Sequence, residues 1–405
     1  MAVNLTEPHD LLPVSGAQWA VVDAAIKAAG RPDLVLLQLD AGSVVSAVFT
    51  RNAFAAAPVR AAREAVERGS VRMLLVNSGN ANAGVGSQGE IDVGECCRRV
   101  AEVYGVASQQ VAPFSTGVIG QRLPMERLLS AIDRLAETEA AGSWLDAARA
   151  IMTTDTAAKG ASRQITTAEG QTVTLTGIAK GSGMIRPDMA TMLAFAATDA
   201  GVSQADLDAA IREANDQSFS CISVDGDTST NDAFCLAATA RGPRLGTDEE
   251  DDWRLFVEAL TSLAQELAQA IVRDGEGATR FITLQINGAS SVAEARAMAF
   301  TIAHSPLVKT ACFAGDPNWG RILAAVGRGP VEDLSVDNVS IHLDDVAVVT
   351  GGSLDPDYRE ANGAAVMARS EYTIKVNLGR GEESATVWTS DLSYEYVRIN
   401  ADYRS

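Results

Sequence analysis

One stretch of this 405-residue chain combines residue types that can do chemistry: Lys180-Gly181-Ser182-Gly183-Met184-Ile185-Arg186-Pro187-Asp188-Met189-Ala190-Thr191-Met192-Leu193. Gly181, Gly183 and Pro187 call for an irregular, tightly turned backbone. An apolar run that reads as a buried strand, 191–197, follows. Thr191 therefore stands where a turned loop meets a strand, preceded by the small Ala190. There its hydroxyl suits attack on the Ala190 carbonyl. An N→O acyl shift and ester hydrolysis would free Thr191 as a new N-terminus. Its α-amine, with an ordinary pKa of about 7.7–8.0, could then act as base for its own hydroxyl. A structural β-turn is the plain alternative, and physics alone leaves the two about even. A phosphate cradle is not completed, because neither G-x-x-x-x-G-K-[ST] nor G-x-G-x-x-G is present.

Four other segments rich in small polar residues lie beside expected strands, where sites are usually built. In Phe114-Ser115-Thr116-Gly117-Val118-Ile119-Gly120, Thr116 and Gly117 could aim a hydroxyl and a backbone N–H at a developing oxyanion; a simple turn is the alternative. Met152-Thr153-Thr154-Asp155-Thr156 reads first as a capped helix end. Val224 to Asp232 faintly resembles a calcium loop, but the bidentate Glu at position 12 is missing, so a supporting, hydrogen-bonded loop is expected. Glu276 stands between Gly275 and Gly277 in a helix-to-strand loop, free to face a ligand amine, although an isolated loop Glu is usually only solvated.

The scarce residues narrow the chemistry. There are 3 histidines and 5 cysteines. No C-x-x-C and no close histidine pair exists, so no zinc site can be drawn and no metal is expected. No G-x-S-x-G elbow accompanies the histidines, so activation by imidazole is not expected. An odd cysteine number in a long chain argues against a disulfide framework. The 33 Lys+Arg against 52 Asp+Glu give a net charge of −19. That excess argues against nucleic-acid binding and against docking on anionic lipid. The first residues show no basic and apolar leader, and no apolar run approaches the ~20 residues that span a bilayer. The cytosol is the expected location.

These segments need elements to hold them. Strands are expected at 34–39, 44–49, 71–76, 171–179 and 280–286, then near 337–343, 346–350, 372–378 and 384–391. Helices are expected around 58–68, 90–104, 124–138, 144–152 and 203–217. The clearest runs from about 248 to 274, with Phe256, Leu260, Leu263, Leu267 and Ile271 as its apolar stripe. Thr247 and Glu250 have capping-box spacing, and Gly275 stands where a left-handed residue would end it. Helices and strands mix without a strict βαβ rhythm. The expected class is α/β or mixed α+β, with mixed or antiparallel sheets packed against helices.

Taken together, the stretches Asn77–Gly84, Phe114–Ile119, Ile151–Thr156, Ile178–Leu193, Ser223–Asp232, Ile271–Thr279, Ser305–Thr310, Gly315–Arg321 and the tail Asn400–Ser405 resemble the ornithine acetyltransferase family of arginine biosynthesis. Its members are also called bifunctional glutamate N-acetyltransferase/amino-acid acetyltransferase. The matches run through nearly the whole chain in the family's order. The resemblance implies self-cleavage between Ala190 and Thr191, giving chains 1–190 and 191–405 that stay together, typically as α2β2 heterotetramers. It implies Thr191 as nucleophile and acetyl carrier, and Thr116 and Gly117 as oxyanion hole. It places Thr154, Lys180, Thr191, Glu276, Asn400 and Ser405 at the substrate. The implied reaction moves acetyl from N2-acetyl-L-ornithine to L-glutamate by a ping-pong course. No cofactor is implied; acetyl-CoA is a co-substrate in some members, and the tail and 271–279 resemble bifunctional ones. Lys180 would pair with a substrate carboxylate and Glu276 with an amine. Arg186 and Asp188 depart from the residues many members carry around Pro187, and a pair between them would keep the turn. The competing readings are a self-cleaving aminopeptidase of related architecture and an uncut, inactive paralogue.

Overall fold

The computed structural model describes residues 2–137, 141–186, 192–248 and 250–402. Asp188, Ala190, Thr191 and Ser405 lie outside the described residues.

Strand alternation sorts the first two thirds of the chain into layers. Val35, Leu37 and Leu39 of strand Leu34–Leu39 face one way, and Leu34 and Leu36 the other, all fully buried. A strand apolar on both faces must be covered on both. The first set packs into a core with Phe195, Ala197, Ala233, Cys235 and Ala237 of a second sheet. The second set packs under helices Ser87–Tyr104 and Met125–Arg134. The second sheet's other face carries Ala194, Ala196, Phe234 and Leu236, and helices Gln204–Asp216 and Glu250–Arg273 cover it. The result is four layers, helix–sheet–sheet–helix, with helices Ala57–Glu67 and Trp144–Ala150 also packed into the central core. Trp19, Phe114 and Trp144 contribute there, and Phe114 meets Phe195 edge-on at 5.1 Å.

Both five-stranded sheets are mixed, as expected. The first runs Val111–Ser115, Met73–Asn77, Leu34–Leu39, Ala17–Val22, Ala141–Gly142. The second runs Val44–Phe49, Ala233–Ala238, Leu193–Thr198, Thr172–Lys180, Lys159–Thr166. A seven-stranded sheet built mostly from residues 281–390 forms a further core with helices Val292–Ala303, Pro306–Ala314, Trp319–Gly327 and Glu360–Met367.

The second sheet positions the chemistry. Leu193–Thr198 lies at its centre, antiparallel to Thr172–Lys180 with Lys180 opposite Leu193. It is parallel to Ala233–Ala238, with Ala233 opposite Leu193. The segments on the two sides of residues 190 and 191 are thus adjacent strands of one sheet.

The long helix carries the expected stripe, with Phe256, Leu260, Leu263, Leu267 and Ile271 all buried. Its length and composition would let it cross a membrane, but it is the core helix over the second sheet. Two expectations for its ends need correction. The helix begins at Glu250, so Thr247 is not its cap; the Thr247 hydroxyl reaches Asp206 Oδ1 at 3.5 Å. The left-handed residue beyond its end is Gly277 (φ +69°) rather than Gly275.

Candidate active site

A cavity of about 270 Å³ opens where the two five-stranded sheets end. Thr116, Gly117, Thr154, Lys180, Glu276 and Asn400 all line it, together with Met192 and Leu193. Six of the expected site residues, drawn from five separated stretches, are therefore brought to one space. Thr191 and Ser405 lie outside the described residues; Met192, the next residue after Thr191, is in the wall.

Thr116 and Gly117 follow the end of strand Val111–Ser115. The Asn77–Gly84 loop frames them. Asn77 Nδ2 donates to Asn80 O at 2.9 Å, and Ser115 Oγ donates to Asn77 Oδ1 at 2.6 Å. From the loop that leads into strand Ala233–Ala238, Asn231 Nδ2 donates to Ala81 O at 2.6 Å and to Ser115 O at 2.9 Å. Thr116 N–H donates to Asn77 O at 3.0 Å. The group Thr116 can turn to a ligand is therefore its hydroxyl. Gly117 has φ +131°, and a Cβ there would overlap the backbone of Gly79 and Asn80. Only glycine can take this position without moving that loop.

Lys180 ends the strand Thr172–Lys180 and is 8% exposed. Its Nζ donates to Thr116 Oγ1 at 3.1 Å and Thr153 Oγ1 at 2.7 Å. Burial pulls its pKa below the usual lysine value, against the opposing pull of the Asp155 carboxylate. Because Thr116 Oγ1 accepts from Lys180, the threonine keeps its own proton to donate. Lys180 thus orients the Thr116 hydroxyl, beyond the substrate-pairing role expected from sequence.

Glu276 sits in the turn after the long helix. Its N–H donates to Ser182 O at 2.8 Å, and its Oε2 accepts from Asn400 Nδ2 at 2.8 Å. Asn400 is on helix Tyr394–Ala401, so the last described helix closes one side of the site. Gly183 lies against the Glu276 carboxylate, and a Cβ at Gly183 would overlap it. Thr154 Oγ1 and Ser182 Oγ share a hydrogen bond of 2.7 Å.

The loop 224–232 supports the site, as expected. The Asp225 carboxylate accepts the N–H groups of Met184 (2.7 Å) and Ile185 (2.9 Å), holding the turn before Pro187. Arg186 lies over the Phe300 ring at 5.7 Å, while Asp188 falls outside the described residues.

Sequence reasoning missed two features. Asp232 lines the cavity and is 3% exposed; burial raises its carboxyl well above the usual range. Its Oδ2 has no hydrogen-bond partner among the described residues. The parallel register beside Met192 places it there, which a linear scan cannot see. The other is a buried ion triad, Asp155–Lys159–Asp274. Its one sequence signal was the i,i+4 spacing of Asp155 and Lys159.

Among the described residues no histidine lines the cavity. His304 Nε2 pairs with Ser223 Oγ at 2.9 Å, and burial, with Arg186 nearby, lowers its pKa to about 4. The unfolded chain binds this proton first, at about pH 6.5. The stability tied to neutral His304 is therefore full above that pH and lost as pH falls toward 4. Urea unfolding of His304→Gln should show a smaller stability loss between pH 7 and 4.5 than the wild type; equal losses would count against this account.

The sequence matches the ArgJ family over residues 18–405. It is 52% identical over 396 residues to the arginine biosynthesis bifunctional protein ArgJ of Methylococcus capsulatus, covering 98% of this chain and 97% of the relative. Among solved structures, arginine biosynthesis bifunctional protein ArgJ of Bacillus halodurans is 35% identical, covering 50% of this chain and 95% of its own, with a TM-score of 0.48. Ornithine acetyltransferase of Mycobacterium tuberculosis, solved in complex with ornithine, is 33% identical, covering 44% of this chain and 98% of its own, with a TM-score of 0.38.

Proposed function

This chain belongs to the ArgJ family, and from that premise we propose how its cavity performs the acetyl transfer. It is an acyltransferase of arginine biosynthesis that moves acetyl from N2-acetyl-L-ornithine to L-glutamate, giving L-ornithine and N-acetyl-L-glutamate. The convergence of Thr116, Gly117, Thr154, Lys180, Glu276 and Asn400 on one cavity beside Met192 carries the proposal.

The chain cuts itself between Ala190 and Thr191, giving chains of 1–190 and 191–405. Thr191 Oγ then attacks the acetyl carbonyl of acetylornithine. The Thr191 α-amine takes the hydroxyl proton and passes it to the departing ornithine nitrogen. The acetyl group stays as an ester on Thr191. The glutamate amine attacks that ester, its proton passes to the α-amine, and the α-amine returns it to the Thr191 oxygen. In both halves the carbonyl oxygen gains negative charge, which the Thr116 hydroxyl and the Gly117 N–H stabilise. Lys180 adds positive charge behind Thr116 and is a partner for a substrate carboxylate. Glu276, tied to Asn400, is the partner for an amine. Thr154 completes the wall, and Ser405 contributes from the tail. No cofactor is needed; acetyl-CoA as a second acetyl donor is part of this reading. The two chains associate as α2β2, in the cytoplasm, a compartment that suits five buried free thiols.

Purified protein on a denaturing gel should give two bands, one beginning Thr-Met-Leu-Ala-Phe. The same sample should move labelled acetyl from acetylornithine to glutamate. Hydrolysis of peptide amides without transfer to glutamate would favour the aminopeptidase reading, and a single inert band the uncut paralogue. Acetylation of glutamate from acetyl-CoA is assayed separately.

A further inference from the structure

Lys159 is the largest fully buried side chain that carries a charge, at 1% exposure. Its Nζ donates to Asp155 Oδ1 at 2.7 Å, to Asp274 Oδ2 at 2.6 Å and to Ala157 O at 3.2 Å. All three hydrogens of the ammonium are thus placed. Each carboxylate then reaches the cavity wall. Asp155 Oδ1 accepts the Gly181 N–H at 2.6 Å, and its Oδ2 accepts the Thr153 N–H at 2.9 Å. Gly181 follows Lys180, and the Thr153 hydroxyl receives a hydrogen bond from the Lys180 ammonium. Asp274 accepts the Thr156 N–H at 2.9 Å and the Thr156 hydroxyl. It stands two residues before Glu276.

A buried ion group costs desolvation that its mutual attraction often only offsets, so its presence is weak evidence for stability. Here it is also asymmetric. One cation meets two carboxylates, and the leftover negative charge faces Lys180. Burial works against charging Asp155, but the Lys159 and Lys180 ammonium groups outweigh it and keep the carboxyl well below the usual range. Burial likewise opposes charging Lys159, and the two carboxylates reverse that effect.

We infer that the Asp155–Lys159–Asp274 triad is the positioning device of this site: Asp155 sets Lys180 and, through it, the Thr116 hydroxyl, while Asp274 sets the turn that carries Glu276. Asp155 and Lys159 precede residue 190 and Asp274 follows it, so the triad also ties together the two chains that cutting would produce. The inference rests on the acetyl-transfer reading of the cavity.

The two arms touch different steps and should separate kinetically. The Asp155 arm aims a group that acts on the developing oxyanion, so Asp155→Asn should lower kcat, by about 100-fold for a displacement near 1 Å, with a smaller rise in KM because Lys180 also pairs with a substrate carboxylate. The Asp274 arm holds a substrate-binding turn, so Asp274→Asn should raise KM about tenfold or more with a smaller change in kcat. Lys159→Met should do both. Thr156→Val removes one hydroxyl from Asp274 and leaves the ions in place; it is the mildest variant, and should show the KM effect alone. All are assayed in full-length protein below their melting temperatures, after a gel has shown whether each is cut. Loss of cutting in Asp155→Asn, with Asp274→Asn still cut, counts for the inference, because cutting needs the same oxyanion groups.

Folded variants with wild-type kcat and KM would overturn it. So would losses that follow only the drop in melting temperature, with no split between the arms. If Lys159→Met or the asparagine variants do not fold, Thr156→Val decides, and an unchanged KM there sinks the inference. If the wild type itself moves no acetyl, the transfer reading fails. Calorimetry with ornithine then still tests the triad, since Asp274→Asn should weaken binding and equal affinity would refute it.

Discussion

Thr191→Ala should give a single uncut chain of 405 residues that moves no labelled acetyl to glutamate. Both losses have one cause. Without the hydroxyl there is no N→O shift, so Ala190 stays joined to residue 191 and no α-amine is freed. Without the same hydroxyl nothing can carry the acetyl group. Removing a nucleophile that works together with its base usually costs about 10⁴-fold or more in rate. Here the base disappears too, so activity should fall below detection. Thr191→Ser is the control: it keeps a hydroxyl and should still cut and transfer, at altered rates. Substantial transfer by the uncut Thr191→Ala protein would end the mechanism.

The fold explains why cutting should not release two free chains. Leu193–Thr198 is hydrogen-bonded on one side to Thr172–Lys180 and on the other to Ala233–Ala238. The shorter fragment therefore supplies one edge partner of a central strand that belongs to the other. The packing of Phe195 against Phe114 and of Leu193 beside Ile178 crosses the same boundary. A division at 190/191 is a division of the covalent chain within one four-layer body.

The parts of this architecture that were legible in sequence are those with a strong local period. Strand Thr172–Lys180 shows as alternation, and helix Glu250–Arg273 shows as a stripe whose five named residues are all buried. Strands Leu34–Leu39 and Val44–Phe49 fall where the β-like runs lie. Elements with weak periods are not legible in this way. Helix Val292–Ala303 is rich in alanine and apolar around much of its surface, so no stripe stands out. Strand Ala233–Ala238 is buried on both faces and shows no alternation. Thr247 looked like a cap by spacing alone, but tertiary contact with Asp206 takes its hydroxyl instead.

The site divides in the same way. Its polar loops could be picked out because small hydroxyl and amide residues beside strands are unusual. The partners that hold them could not. Asp155 and Asp274 are 119 residues apart and meet only through Lys159. Asp232 resembles any loop aspartate until the parallel register with Leu193 puts it at the cavity. Such neighbours are set by tertiary pairing, and nothing in the local sequence encodes the distance.

Gly117→Ala tests the most constrained backbone position in the cavity. Two penalties coincide there. At φ +131° an L-residue is strained, and the new Cβ would stand about 2.5 Å from Asn80 N. The obstacle is backbone, so no side chain can swing aside to make room. Asn80 is itself fixed: its Nδ2 donates to Gln121 O and Arg122 O at 3.2 and 3.1 Å, and its carbonyl accepts from Asn77. The methyl group must then displace residue 117, and with it the N–H proposed to hold the oxyanion. Loss of one such donor costs about 10²–10³-fold in kcat. Thr116→Ala, which removes the other donor and one acceptor of Lys180, should cost a similar factor without backbone strain. The two variants should thus match in kcat yet differ in melting temperature, with Gly117→Ala the lower. Self-cutting should slow in both, because its tetrahedral intermediate needs the same donors. A Gly117→Ala protein with wild-type kcat would show that the acetyl oxyanion is held elsewhere in the cavity.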